Sequence, residues 1–405
     1  MSDFTQSYHL SGRRMGMFLC LCIGSFATVF GQSFQLSFKH LTPESGLSQT
    51  VNHHIVKDGE GFVWIGSEDG LNRFDGNNSK IFAPDIKQRS ISGKNILGIV
   101  SSSNGNLWVG TENGLQCRSA RATNFKLVKT NDSDGMSPAI PLGEYQSTIL
   151  VLQPISGKLI LVDSAQNSLG VIPQRLPVKD IERVFAVESF IGNERTLFLL
   201  ADKGLFSFSW AAVNVNPVKS YNRIIESKLG KTDVQSICAQ GDSLLWLATN
   251  KGLFKFFPST SKLVAFKDLN GRICRDIQSM AIGIDGLLFA GTLEDGCLVI
   301  SPNKQKIVQH FRNNLTDRSS LGGNSVLSIM TDTLYNVWMA LDLVGIDFAN
   351  SQKRKFQVWP EAPNNVSTFV RPEIQTMAVD STGNIWTGNK LRGITVFDEQ
   401  RRFLR

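Results

Sequence analysis

The chain reads as an all-β protein, a β-propeller of four-stranded antiparallel blades, on three observations. One hairpin pattern, GFVWIGSEDGLNRF at Gly61 to Phe74, recurs along the chain, its copies arrive at a nearly even interval, and the segments between them are short and strand-like. In the first copy the apolar side chains of Phe62, Trp64, Leu71 and Phe74 alternate, and Asp69-Gly70 stands between the two runs, where a tight hairpin needs residues that tolerate positive φ. The clear copies are LWVGTENGLQC (Leu107 to Cys117), LWLATNKGLFKF (Leu245 to Phe256), LFAGTLEDGCLVI (Leu288 to Ile300), VWMALDLVGIDF (Val337 to Phe348) and IWTGNKLRGITVF (Ile385 to Phe397). Two weaker ones, LVLQPISGKLILV (Leu150 to Val162) and LFLLADKGLFSF (Leu197 to Phe208), fill the gap. The large residue marking each copy falls at Trp64, Trp108, Val151, Phe198, Trp246, Phe289, Trp338 and Trp386, at spacings of 43 to 49 residues. A period of that size built from short strands predicts one blade per repeat, each blade covering its neighbour's apolar face.

Each repeat then divides into four parts. An apolar strand comes first, as in VNHHIVKD (Val51 to Asp58), ILGIVSS (Ile96 to Ser102), VQSICAQ (Val234 to Gln240), IQSMAIG (Ile277 to Gly283), VLSIMTD (Val326 to Asp332) and IQTMAVD (Ile374 to Asp380). The tryptophan hairpin supplies the second and third strands. An outer strand follows, such as SKIF (Ser79 to Phe82), FKLV (Phe125 to Val128), KLVAF (Lys262 to Phe266) or IVQHF (Ile307 to Phe311). No stretch carries a helical period long enough to predict a helix.

One strand is left over. FQLSF (Phe34 to Phe38) precedes the first full repeat and has the character of an outer strand that pairs with the last blade to close the ring; a near copy, FQVWP, stands at Phe356 to Pro360, 322 residues on. The reading is a seven-bladed propeller over residues 32–355, with residues 356–405 forming the first blade of a second, incomplete one. A single eight-bladed ring ending at Arg405 stays open as the alternative.

Composition suits this architecture. Of 405 residues, 41% are hydrophobic and 19% charged, enough for a large core, and 35 glycines fit a protein of many tight turns. The formal charge of +7 is spread along the chain without a dense basic run, which argues against nucleic-acid binding. At the N-terminus, Arg13 and Arg14 precede the apolar run MFLCLCIGSFATVFG (Met17 to Gly31), the length of a signal-peptide core and short for a membrane span, so residues 1–31 are expected to be a signal peptide. Cys117, Cys238, Cys274 and Cys297 remain after it, at unrelated spacings within apolar patterns, and read as small buried hydrophobes.

The stretch FKHLTPESGLSQTVNHHIVKDGEGFVWIGSEDGLNRFDG (Phe38 to Gly76) resembles the two-component regulator propeller repeat, through Gly46-Leu47-Ser48, Asp58, Gly61, Trp64-Ile65-Gly66 and Asp69-Gly70-Leu71. The likeness returns around Trp108 and Trp246 and extends with falling fidelity from Phe34 to Phe397; Val151 and Phe198 depart from it where tryptophan is usual. The resemblance implies the periplasmic sensor region of a hybrid two-component histidine kinase, many of which detect oligosaccharides. It implies further that signal transduction runs through a second propeller, a membrane helix and a kinase downstream, with membrane contact and homodimer formation arising only there. No cofactor is expected.

The residues themselves offer little chemistry. Of five histidines, His40 and His310 stand apart, and His53-His54 is the sole pair, on a strand where alternation sends the two rings to opposite faces, so neither a metal site nor a catalytic constellation is predicted. A ligand site is easier to derive. The first strand of each blade lines the propeller axis, so residues just before it gather at one mouth of the ring. There the chain places Asn52, Asn95, Asp233, Arg275, Asp276 and Ser325, a polar, partly acidic collar suited to hydrogen-bonding a small molecule or oligosaccharide. The expectation is therefore a periplasmic or secreted ligand-sensing module that is not itself an enzyme. A propeller lyase or hydrolase, or a protein-binding scaffold, is the alternative.

Overall fold

A computed structural model describes residues 36–351, 374–398 and 404, apart from the short stretches 85–89, 130–135, 146, 164–167, 177–180, 183, 191–194, 212–213, 216–218, 272–273 and 390–392. The expected signal peptide and the outer-strand copy at Phe356 lie outside the described residues. The protein is all-β, and its sheets are antiparallel meanders taken in chain order. The first sheet is typical: Asn52–Lys57, Val63–Ser67, Gly70–Phe74 and Ser79–Phe82 pair side by side in sequence. Sheets with the same order begin at Ile96, Ile140, Val184, Val234, Ile277 and Val326, and the strands Ile374–Val379, Ile385–Asn389 and Gly393–Phe397 form a separate three-stranded sheet.

The seventh sheet is completed from the other end of the chain. Its outer strand is Lys39–Leu41, antiparallel to Gly345–Asn350, with His40 directly opposite Asp347. The sequence placed this closing strand at Phe34 to Phe38, a few residues too early. Phe38 is instead buried, its ring 5.4 Å from Phe311 of the sixth sheet and its N–H donated to the Ser319 carbonyl. The first strand of sheet one lies against the first strands of both sheet two and sheet seven.

The core fills the seams between sheets, as mutual shielding of apolar faces requires. Between sheets one and two, Trp64, Leu71 and Phe82 meet Ile99, Leu107, Val109 and Phe125. Between seven and one, Trp338, Ala340 and Ile346 meet Ile55, Val63, Ile65 and Phe74. Trp64, Trp108 and Trp246 are completely buried. Their indole N–H groups are satisfied by the residue six positions earlier: Trp64 Nε1 donates to Asp58 Oδ2 at 2.7 Å, Trp108 to Ser102 Oγ at 3.3 Å and Trp246 to Gln240 Oε1 at 2.8 Å. In sheet seven, Asp332 occupies that position but receives Lys57 Nζ of the first sheet at 2.7 Å, and the buried Trp338 Nε1 has no partner. Burial would raise the Asp332 carboxyl, but the hydrogen bonds from Lys57, Asn336 and Leu334 outweigh it and hold it below the usual carboxylate range.

Two sequence readings are corrected. In the third sheet Gln153 pairs Lys158 at the hairpin end, as Ser67 pairs Gly70 in the first, so the counterpart of Trp64 is Leu150 and not Val151. Val151 packs back onto Trp108, whereas Leu150 faces Leu197 and Leu199 of the fourth sheet; a one-residue slip in a strand exchanges its faces. The chain also contains a helix, Asn222–Leu229, between sheets four and five. Its apolar residues span only two turns, too few to register as a period. Packing of Ile225 with Phe198, Tyr221 and Ile237 holds it in place.

Candidate ligand site at the ends of the first strands

Every first strand carries the same irregularity. The pairing register with the second strand slips after the opening residue, between Asn52 and His54, Ile96 and Gly98, Val234 and Ser236, Ile277 and Ser279, and Val326 and Ser328. The third and fourth sheets slip at Pro141/Gly143 and Val184/Ala186. One extra residue is therefore left unpaired in each: His53, Leu97, Leu142, Phe185, Gln235, Gln278 and Leu327. Such bulges re-aim side chains at the rims of β-structures. Because the first strands of neighbouring sheets lie against one another, these residues and those just before them sit at one end of the innermost layer. The set is mixed in chemistry: sheets two, three, four and seven contribute Leu97, Leu142, Phe185 and Leu327, of which Leu142 is buried in the core, whereas sheets five, six and one contribute Gln235, Gln278 and His53.

The sequence-predicted residues occupy this same end in different environments. Asn95, Asp233, Arg275 and Asp276 are exposed, Ser325 is half-buried and Asn52 is fully buried. Asn52 sits inside its strand, one step past the others, and its side-chain amide donates to the carbonyls of Gln49 and Thr50. The backbones are held firmly. Glu112 receives the N–H groups of Lys94 and Asn95 at 2.8 and 3.0 Å. The carbonyls of Asp233, Asp276 and Ser325 accept from Asn250, Leu293 and Asp342 in the hairpin turns of their own sheets. Asp276 adopts φ +53°, a left-handed conformation that an aspartate side chain tolerates.

Three buried polar atoms at this end have no hydrogen-bond partner: Asn52 Oδ1 in the first sheet, Gln235 Oε1 in the fifth and Ser325 Oγ in the seventh. Buried polar groups are nearly always paired, so each marks a place where a ligand hydroxyl or amide could be accommodated. Gln235, Gln278 and the bulge itself escaped sequence reasoning, because a register slip has no residue signature of its own. His53 Nε2 lies 3.6 Å from Glu68 Oε1 in the adjoining hairpin turn. Among the described residues no group of three or more His, Cys, Asp or Glu side chains is arranged to hold a metal ion.

Antiparallel four-stranded sheets shielding one another's faces define the class, a repeat-built β-propeller. The particular kind of repeat is shown by residues 90–113, which match the two-component regulator propeller, so the chain carries that repeat. A 71-residue stretch is 38% identical to histidine kinase P4 of Formosa agariphila, covering 17% of this chain and 5% of that protein. Among solved structures, the extracellular domain of the hybrid two-component system BT3049 from B. thetaiotaomicron aligns over 91% of this chain and 49% of its own, with a TM-score of 0.64 and 20% identity. The chain thus spans about half the length of that structure. Virginiamycin B lyase from Staphylococcus aureus aligns over 78% of this chain and 99% of its own, with a TM-score of 0.54 and 12% identity. At these identities the structural likenesses establish the fold.

Proposed function

We propose that this propeller is the ligand-sensing part of a two-component signalling protein, that it acts in the periplasm, and that its ligand is an oligosaccharide. The match of residues 90–113 to the two-component regulator propeller carries this reading, and the likeness in fold to an extracellular sensor domain supports it. In this proposal seven sheets make one ring closed by Lys39–Leu41, residues 374–397 open a second propeller, and membrane span, kinase and dimer contacts belong to parts outside this chain. The first-strand ends form the ligand site. Leu97 and Phe185 suit the C–H faces of a sugar ring, and Gln235, Gln278, Asp233, Asp276 and Arg275 suit its hydroxyls. Occupancy is transmitted by a change in packing, without bond chemistry in this chain.

Thermal-shift screening of the purified protein against an oligosaccharide panel, followed by calorimetry on the hits, tests the reading. A hit is expected to raise the melting midpoint, and Asp233→Ala with Asp276→Ala is expected to weaken it tenfold or more. A hit indifferent to both substitutions would move the site elsewhere, and a panel without hits would remove the oligosaccharide. The lyase reading draws on the lyase-like fold and the His53–Glu68 approach. It requires turnover that His53→Ala abolishes, and stoichiometric binding without product formation would exclude it.

A further inference from the structure

We infer that the seam between the first and second sheets, at the end opposite the first-strand openings, binds a compact oxyanion of the carboxylate, sulfate or phosphate type. Two guanidinium groups converge there on one indole ring. Arg118, the last residue of the third strand of sheet two, places its Cζ 5.4 Å from the Trp64 ring centroid, and Arg73, on the third strand of sheet one, lies 5.9 Å from the same ring and 4.3 Å from that of Phe62.

Arg118 is out of pattern. By hairpin register its counterparts in the other six sheets are Phe74, Val162, Phe208, Phe256, Ile300 and Ala349, all apolar. Phe74 shows what the position does elsewhere, packing its ring 6.0 Å from Trp338 of the preceding sheet. The Arg118 guanidinium takes the place of such a ring against Trp64, and stacking on an aromatic face accounts for its attitude. It does not account for the charge. Arg118 is 5% exposed, and its Nε is sealed from solvent without a hydrogen-bond partner, as is the Nε of Arg73.

Among the described residues no carboxylate forms an ion pair with either guanidinium. Of the nearby acids, Asp58 spends its acceptors on Glu60 N, Phe62 N and Trp64 Nε1, and Asp75, which accepts from the N–H groups of Asn77 and Asn78, attracts Arg73 through space without a hydrogen bond to it, so the buried Arg118 is the guanidinium left without a paired acid. Two like charges facing one ring, one of them almost fully buried, are unfavourable unless a counter-charge joins them. Guanidinium N–H groups bind oxyanions in forked, charge-assisted pairs, and an oxyanion bridging Arg73 and Arg118 would supply both the acceptors and the charge. This site is at the far end of the sheets from the oligosaccharide site and stands whether or not that reading holds.

The test is thermal denaturation and calorimetry of the purified protein with sodium sulfate, phosphate or acetate, each against sodium chloride at equal ionic strength. The expected result is a saturable rise in midpoint with at least one oxyanion, weakened tenfold or more in Arg118→Phe, the residue type of sheets one, four and five. Arg118→Phe should melt higher than the native protein when no oxyanion is present. Should that variant not fold, Arg73→Gln, at a half-exposed position, is expected to weaken binding by a similar factor. A linear salt response shared by native protein and variants, or saturable binding unaffected by either substitution, overturns the proposal.

Discussion

Replacing His40 by alanine should weaken ring closure in a pH-dependent way. His40 stands on the closing strand directly opposite Asp347, with Nδ1 2.6 Å from Asp347 Oδ1 and Nε2 2.9 Å from the Arg318 carbonyl. Asp347 is fully buried and also receives the Gly322 N–H at 2.6 Å. Both ring nitrogens thus face acceptors, which requires a proton on each or one shared with the carboxyl. Burial works against the charged ring, but the bonds to Asp347 and Arg318 outweigh it and raise His40 above its ordinary 6.5. Burial pushes the Asp347 carboxyl up as well, so the pair holds its protons to higher pH than an isolated histidine would. Because the folded value is raised, the contribution is complete below pH 6.5 and is lost as pH climbs through the folded value. Removing one member of a buried pair costs about 3–5 kcal/mol. With the His40 side chain 32% exposed, the lower end applies, about 3 kcal/mol. For roughly 300 residues with about 2.1 cal/mol/K of unfolding entropy each, that is a fall of about 5 °C in melting temperature. Melting curves of native protein and His40→Ala from pH 6 to pH 9 provide the assay. A gap of that size at pH 6 that narrows on the alkaline side is expected; a gap that stays constant with pH, or none at pH 6, would refute the protonated pair.

Three further outcomes follow from the seams and turns. Asp58→Ala removes the acceptor of the Trp64 indole and of two backbone N–H groups and should cost about 2–3 kcal/mol in chemical denaturation, whereas Ser102→Ala, whose bond to Trp108 is long at 3.3 Å, should cost under about 1 kcal/mol. Gly345→Ala places a Cβ against the Leu41 carbonyl oxygen at φ +130°, so backbone strain of about 1–3 kcal/mol should add to displacement of the closing strand, read as faster amide exchange at residues 39–41. The Cys117 and Cys297 thiols, both pushed up to about 12 by burial, should resist iodoacetamide at pH 8 in the native protein and react once it is unfolded, as mass spectrometry would report.

What was legible in the sequence is what repeats. An aromatic residue at the second strand, in seven of the eight copies, and glycine at the hairpin recur because the sheets solve the same problem, a large side chain to fill a seam and one residue free to take positive φ, so the copies announce themselves by their spacing. A polar side chain six residues before each tryptophan was present in the residues as Asp58, Ser102, Gln240, Asp332 and Asp380, and all but Asp332 accept the indole N–H, but its chemistry varies too much to be read as a motif. The third sheet misled because Leu150, Val151 and Leu152 are all apolar. Without polar residues to mark the solvent side, either face could be inward, and only the register with Lys158 decides.

The features that set this chain apart from its own repeat pattern lie where a repeat is broken, and sequence order hides them. His40 and Asp347 are 307 residues apart, each unremarkable alone; the topology makes them neighbours because the seventh sheet takes its outer strand from Lys39–Leu41. Arg118 is set apart only by register, which places it where the other six sheets carry apolar residues. Asp332 kept the acceptor position of its repeat yet gave its carboxylate to Lys57 of the first sheet, leaving Trp338 unpaired at that same closing seam. Seams one–two and seven–one therefore join sheets through charged groups as well as apolar packing. The Lys57–Asp332 contact responds to pH and counter-ions more than the apolar packing around it, so the seam between sheets seven and one should loosen with solution conditions while its apolar contacts persist.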